Sequence, residues 1–331
     1  MDWPVGAATG VGSLPGTDPV EACALVAGEL PDLPHLPELP ARGPGADLVG
    51  RGAALLADLS VDLQPSGWRF VPRPSADGRR ADDFLARDLD AAEQAFDGYA
   101  GTFKVQCAGP WTLAAGVELH RGDRALADAG AVRDIAAALA EGLARHVADV
   151  RHRVPGATVV VQLDEPSLPA VRQGRVRTAS GFGALRAVDD NDLVAGLRTV
   201  IDGTGALAGV HCCGADVPLD LLGRSGSAFV SVDTSLLTTK AYDALGELIE
   251  NGVTLLLGAV PTTDDRRSAR DTASDVRTLW RAIGHPAERL PERVVVTPAC
   301  GLAGASPEYA RAALARARDA ARRLSEAPEE P

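Results

Sequence analysis

Short runs of valine, leucine and alanine recur along the chain at residues 102–108, 158–163, 207–212, 229–232, 254–260 and 294–298. Several lack the apolar–polar alternation of a strand with one wet face. A near-continuous apolar run bounded by turn residues marks a strand buried on both faces, as in a parallel sheet. Residues 82–99, 131–152, 191–203, 240–251 and 264–283 instead carry apolar side chains three or four apart, with Arg, Asp and Glu between. That spacing predicts amphipathic helices. A further helix is punctuated at its start: Ser306 offers a capping hydroxyl, Pro307 suits the first helical position, and an Ala/Arg/Leu run continues to Leu324.

Two more strands are expected upstream, one at residues 8–12 and one at either 60–64 or 69–72. Eight strands alternating with helices predict an α/β fold, a single (β/α)8 TIM barrel over residues 1–325, with 326–331 a frayed tail. Residues 14–46, with seven prolines, read as an irregular excursion after the first strand. No G-x-G-x-x-G follows any of the runs, which disfavours a doubly wound dinucleotide-binding sheet.

Composition narrows the function. A net charge of −12 excludes a protein that lives by neutralising phosphates, so no nucleic-acid partner is expected. The longest clean apolar stretch, 253–260, is too short to span a bilayer. Met1-Asp2-Trp3-Pro4 lacks the basic-then-apolar order of a signal peptide. Together with five cysteines, an odd number, this predicts a cytoplasmic chain with reduced thiols.

A barrel carries its chemistry at the C-terminal ends of its strands. Here those ends read Gly12-Ser13-Leu14, Cys107-Ala108-Gly109, Gln162-Leu163-Asp164-Glu165-Pro166, His211-Cys212-Cys213-Gly214, Asp233-Thr234-Ser235 and Pro298-Ala299-Cys300-Gly301. His211 and Cys213, two apart in a strand, share a side while Cys212 points away. With Asp233 and Cys300 they form a set of one imidazole, two thiols and one carboxylate, which suits tetrahedral Zn2+. The competing reading for any single cysteine is a small buried hydrophobe, and Cys23 and Cys107 are read that way. His35, His120, His146, His152 and His285 fall in loops or on helices and carry no assigned chemistry. Of the adjacent carboxylates, Asp164 shares a side with Gln162 and enters the barrel mouth, where it serves as an ammonium partner or a base. The Gly12-Ser13 turn offers backbone N–H groups to an anion such as a carboxylate.

In sequence order, Gly10-Val11-Gly12-Ser13-Leu14-Pro15-Gly16, Gln162-Leu163-Asp164-Glu165-Pro166, His211-x-Cys213, Val232-Asp233-Thr234-Ser235 and Pro298-x-Cys300-Gly301 resemble the C-terminal catalytic barrel of cobalamin-independent methionine synthase. The resemblance spans residue 8 to about 324 and implies a short, single-barrel form of that enzyme. It implies a zinc ion held by His211, Cys213 and Cys300, on which the homocysteine sulfur binds. It also implies that Asp164 holds the substrate ammonium and that the Ser13 turn contacts its carboxylate. The expected reaction is methyl transfer to homocysteine from a methyl-folate or methyl-corrinoid, or from a methyl-donor protein.

Three departures stand out. Asp233 occupies the place of the family's usual glutamate ligand, expected here as a labile fourth ligand. The N-terminal barrel of the long enzyme has no counterpart in this sequence, nor has the histidine after strand seven, where the chain reads Gly258-Ala259-Val260-Pro261-Thr262-Thr263. A related zinc alkyltransferase acting on a coenzyme M-like thiol is the alternative activity. A thiol-sensing barrel using Cys212-Cys213 is disfavoured, because adjacent cysteines in a strand point apart and bridge poorly.

Overall fold

The computed structural model describes residues 3–263 and 267–330. Its centre is a curled six-stranded parallel sheet in which each strand pairs with the next along the chain. Two earlier strands, β1 (Ser60–Gln64) and β2 (Gly67–Val71), form a separate antiparallel hairpin. The central strands are β3 (Thr102–Ala108), β4 (Thr158–Asp164), β5 (Leu207–Cys212), β6 (Phe229–Asp233), β7 (Thr254–Val260) and β8 (Val294–Pro298). All six fall where the apolar runs predict, because burial on both faces leaves little room for polar residues.

Two short staves close the sheet into a barrel. The first runs beside β8: Thr9 N donates to Val296 O at 3.2 Å, and Val296 N to Ala7 O at 3.2 Å. The second lies inside the proline-rich stretch and runs beside β3: Lys104 N donates to Pro34 O at 2.9 Å, and Leu36 N to Lys104 O at 2.9 Å. The staves also pair with each other, Leu14 N donating to Glu38 O at 2.9 Å and Glu38 N to Gly12 O at 3.2 Å. The barrel fold therefore stands, but its second stave lies at residues 34–38 and not at 60–64 or 69–72. Those two candidates pair with each other as β1 and β2, and β2 docks on the segment after β3 through Phe70 N to Glu118 O at 2.8 Å. The stretch 14–46 is thus ordered.

Twelve α-helices are present among the described residues: α1 (Pro19–Glu29), α2 (Leu48–Ala54), α3 (Ala76–Ala95), α4 (Pro110–Gly116), α5 (Ala129–Arg153), α6 (Leu168–Arg172), α7 (Asp190–Gly203), α8 (Leu219–Arg224), α9 (Tyr242–Glu250), α10 (Ala269–Ile283), α11 (Leu290–Arg293) and α12 (Pro307–Glu326). The periodic segments match α3, α5, α7, α9, α10 and α12. The expected start of α10 at residue 264 lies outside the described residues; the helix opens on a reciprocal cap between Ser268 and Asp271. Ser306 Oγ accepts from Tyr309 N at 3.1 Å and starts α12. At the far end, Arg277 donates to Ala327 O at 2.7 Å and pairs with Glu330 at 3.2 Å. Among the described residues, no helix is long and apolar enough to cross a membrane.

The outward side chains of the strands, such as Val105, Val161 and Leu255, pack into one large core under the helices. Inside the barrel a small plug of Ala7, Leu33, Phe229, Leu256 and Val295 fills one end. Burying each large member contributes about 1.5–3 kcal/mol. One layer further along the strands the interior turns polar, with His35, Lys104, Gln106, Gln162, Asp164, His211, Ser231 and Thr297 all buried. Burying so many polar groups is costly, and it marks that end of the barrel as the site.

Candidate active site

β5 delivers His211, and Cys213 follows one residue beyond its end; Cys300 sits two residues past the end of β8. The ligating atoms of these three lie within 4.8 Å of one another, and the two Sγ atoms are 2.9 Å apart. His211 Nδ1 is 2.8 Å from Ser231 Oγ on β6, while its Nε2 is buried without any partner. An orphaned imidazole nitrogen aimed at two close thiols is costly unless a cation satisfies it. The donor set of one nitrogen and two sulfurs fits zinc. The hydrogen bond from Cys213, helped by His211, draws the Cys300 thiol down to about 4, and the same bond raises Cys213. Cys212 faces away from the pair, and burial pushes its thiol up to about 12. Cys23 and Cys107 are buried as expected of packing residues.

Asp233 is not brought into this group. It ends β6 one register step beyond the Cys212–Val232 pair. Its Oδ1 accepts from Ser235 N at 2.8 Å and Ser235 Oγ at 2.6 Å, capping a turn over Thr234–Leu236. Asp233, expected as the labile fourth ligand, thus serves as a cap through Oδ1 in this structure.

The two carboxylates at the end of β4 part company. Asp164 pairs in register with His211 and accepts from Gln162 Nε2 at 2.7 Å. Burial, then the nearby Glu38 carboxylate, raises its carboxyl well above the usual range. Glu165 points the other way, onto the start of α4. It accepts from Trp111 N at 2.9 Å, Thr112 N at 2.8 Å and Thr112 Oγ1 at 2.6 Å.

The Gly12-Ser13 turn ends the first stave at the same rim. Leu302 N donates to Ser13 O at 2.8 Å, and a side chain at Gly301 would lie 2.0 Å from Ser13 Oγ. Gly301 is therefore what lets the turn touch the residue following Cys300. The three elements picked from the sequence, namely the thiol–imidazole group, Asp164 and the Ser13 turn, meet at one end of the barrel.

Sequence reasoning missed a second ring of groups. Glu38 is buried 3.3 Å from Arg51 Nε, with its carboxyl raised by burial. Arg51 in turn meets Asp88 at 2.5 Å, and Arg42 meets the same carboxylate at 2.7 Å. Lys104 is fully buried; its Nζ donates to Val11 O at 2.9 Å and Gln106 Oε1 at 3.2 Å, and burial lowers it to about 8. His35, read as a loop residue, lines the interior with both nitrogens unpartnered. Its ring packs so closely on Gly10 that a Cβ there would lie 2.2 Å away. One signal was available: Lys104/Gln106 and Gln162/Asp164 are polar residues at period two within otherwise apolar strands.

No curated protein matches this sequence significantly. A solved B12-independent methionine synthase from Shewanella sp. W3-18-1, in complex with selenomethionine, overlays with a TM-score of 0.65 at 13% identity, each chain covering 98% of the other. That overlay shows a shared fold. A xylanase B from Clostridium stercorarium F9 overlays at a TM-score of 0.34 with 10% identity, covering 66% of this chain and 72% of its own, too distant to bear on function. The sequence pattern of the family described as "Cobalamin-independent synthase, Catalytic domain" matches residues 90–323, well over half of the chain. The chain belongs to the family of cobalamin-independent synthase catalytic domains.

Proposed function

We propose that this protein is a zinc-dependent S-methyltransferase that converts homocysteine to methionine. The observation that carries the reading is the convergence of His211, Cys213 and Cys300 within 4.8 Å, with His211 Nε2 buried and unpartnered. His211, Cys213 and Cys300 would hold the metal, and three protein ligands leave a coordination position free for a substrate. A bound zinc ion supplies a Lewis acid that keeps a substrate sulfur as the thiolate at neutral pH, where a free thiol of pKa ~8.5 is mostly protonated.

The chain's own residues select an amino-acid thiol. Asp164, next to His211 in register, is a desolvated carboxyl whose ionised form becomes favourable when a substrate ammonium arrives. The Gly12-Ser13 turn, against Gly301, offers backbone N–H groups to the substrate carboxylate. Sulfur then attacks the methyl carbon; the S–C bond forms as the donor–C bond breaks, and the donor leaves with that electron pair. No protein nucleophile is required. A sulfonate-ended thiol without an ammonium would leave the buried Asp164 carboxyl without a partner.

The methyl donor is a methyl-folate or a methyl-corrinoid, and the decisive experiment offers both. Zinc-loaded protein is expected to form methionine from homocysteine with at least one of methyl-folate and methyl-cobalamin. Methionine from neither would overturn the proposal.

A further inference from the structure

Two substrate anchors, the Ser13 turn and Asp164, sit on different elements, the first stave and the end of β4. A single side-chain atom ties them together. Gln162 Nε2 donates one hydrogen to Val11 O at 2.9 Å and the other to Asp164 Oδ1 at 2.7 Å. Val11 immediately precedes the Gly12-Ser13 turn, so both hydrogens of one amide hold the two anchors. Val11 O also accepts from Lys104 Nζ at 2.9 Å, which occupies its second lone pair. Lys104 is held in turn by Gln106 Oε1 at 3.2 Å, and Gln106 Nε2 donates to Leu36 O at 2.6 Å on the second stave. Gln162, Lys104 and Gln106 are each at most 2% exposed, so water does not compete for these bonds.

We infer that Gln162 is the positioning residue that sets the spacing between the carboxylate anchor and the ammonium anchor, and thereby makes the site selective for α-amino-acid thiols. This rests on the homocysteine reading above. The physical reason is that an α-amino acid carries both charges on one carbon. It binds well only if both anchors stand at that fixed separation, and a misplacement of about 1 Å costs up to ~100-fold. A thiol with one charged group tests one anchor at a time and does not sense the spacing.

The test uses full-length, zinc-loaded protein and three thiols: homocysteine, 4-mercaptobutyrate (no ammonium) and 3-mercaptopropylamine (no carboxylate). In wild type, homocysteine binds more tightly than either single-anchor thiol. Gln162→Leu removes both hydrogens and is expected to weaken homocysteine about 10- to 100-fold. The single-anchor thiols change little, so the preference collapses; KM for homocysteine rises more than kcat falls, and metal content stays at the wild-type value. Gln162→Asn keeps an amide one methylene too short to reach both partners and shows a smaller loss in the same direction. If Gln162→Leu does not fold, Gln162→Asn decides by the same criteria. Unchanged homocysteine affinity, or an equal loss for all three thiols, would overturn the inference. A wild type that prefers homocysteine over neither analogue would instead overturn the functional reading, and the inference with it.

Discussion

Glu165→Ala separates the two neighbouring carboxylates of the β4 end by what they hold. Glu165 is fully buried and takes the place of a side-chain cap on α4, whose own first flanking residue, Gly109, has none to offer. Truncation leaves Trp111 N, Thr112 N and the Thr112 hydroxyl without their acceptor. Each stranded amide costs about 1–3 kcal/mol, and with the lost volume the total is about 3–5 kcal/mol. Burial raises the Glu165 carboxyl from 4.5 to about 7, outweighing the hydrogen bonds that lower it. For an acid raised on folding, the stabilising contribution is complete below pH 4.5 and is lost as pH climbs through about 7. The loss amounts to about 3 kcal/mol over that window. The variant carries no such carboxylate, so its deficit is close to full at pH 5 and narrows to about 0–2 kcal/mol at pH 8. Thermal unfolding of wild type and variant at both pH values reads this directly: a Tm lower by about 4–7 °C at pH 5, and a smaller gap at pH 8. Equal Tm values at pH 5, or a gap that widens as pH rises, would refute the reasoning.

Purified protein is expected to hold about one zinc per chain. Cys300→Ser loses most of it, while Cys212→Ser and Asp233→Asn keep it, since Cys212 faces away and the Asp233 carboxylate already serves Ser235; equal metal content in Cys300→Ser and wild type would refute the assignment. Asp164→Asn should weaken homocysteine at least about tenfold by calorimetry with metal content unchanged, because removing one partner of a desolvated charge pair costs ~2–5 kcal/mol. Methyl-folate is expected to bind weakly and with strong salt dependence, gaining little from added glutamates. The net charge is −12 and Arg69 at the hairpin is committed to Glu118, which leaves that rim position with little free positive charge for a polyglutamate tail. Calorimetry with mono- and triglutamyl methyl-folate showing a marked gain with tail length would contradict this.

What the amino-acid order alone determined is everything that repeats or is punctuated locally. The six parallel strands were readable because burial on both faces forces long apolar runs. The large helices were readable from their period, and α12 from Ser306-Pro307. His211, Cys213, Cys300, Asp164 and Ser13 were readable because barrel geometry says in advance that strand ends meet. The tertiary structure alone decided what depends on partners distant in the chain. The second stave carries Pro34 and Pro37, which lack the N–H that a strand pattern presupposes, so only its pairing with Lys104 and Gly12 reveals it. The sequence at β1 and β2 alternates apolar and polar residues, unlike the buried barrel strands, and the two close on each other because a short turn lets them pair locally. Asp233 has the right chemistry for a ligand, and its hydrogen bond with Ser235 is something that spacing does not encode. Lys104 and Gln162 acquire their shared role only once closure of the barrel brings the Val11 carbonyl within hydrogen-bonding distance of both, across up to 151 residues of chain.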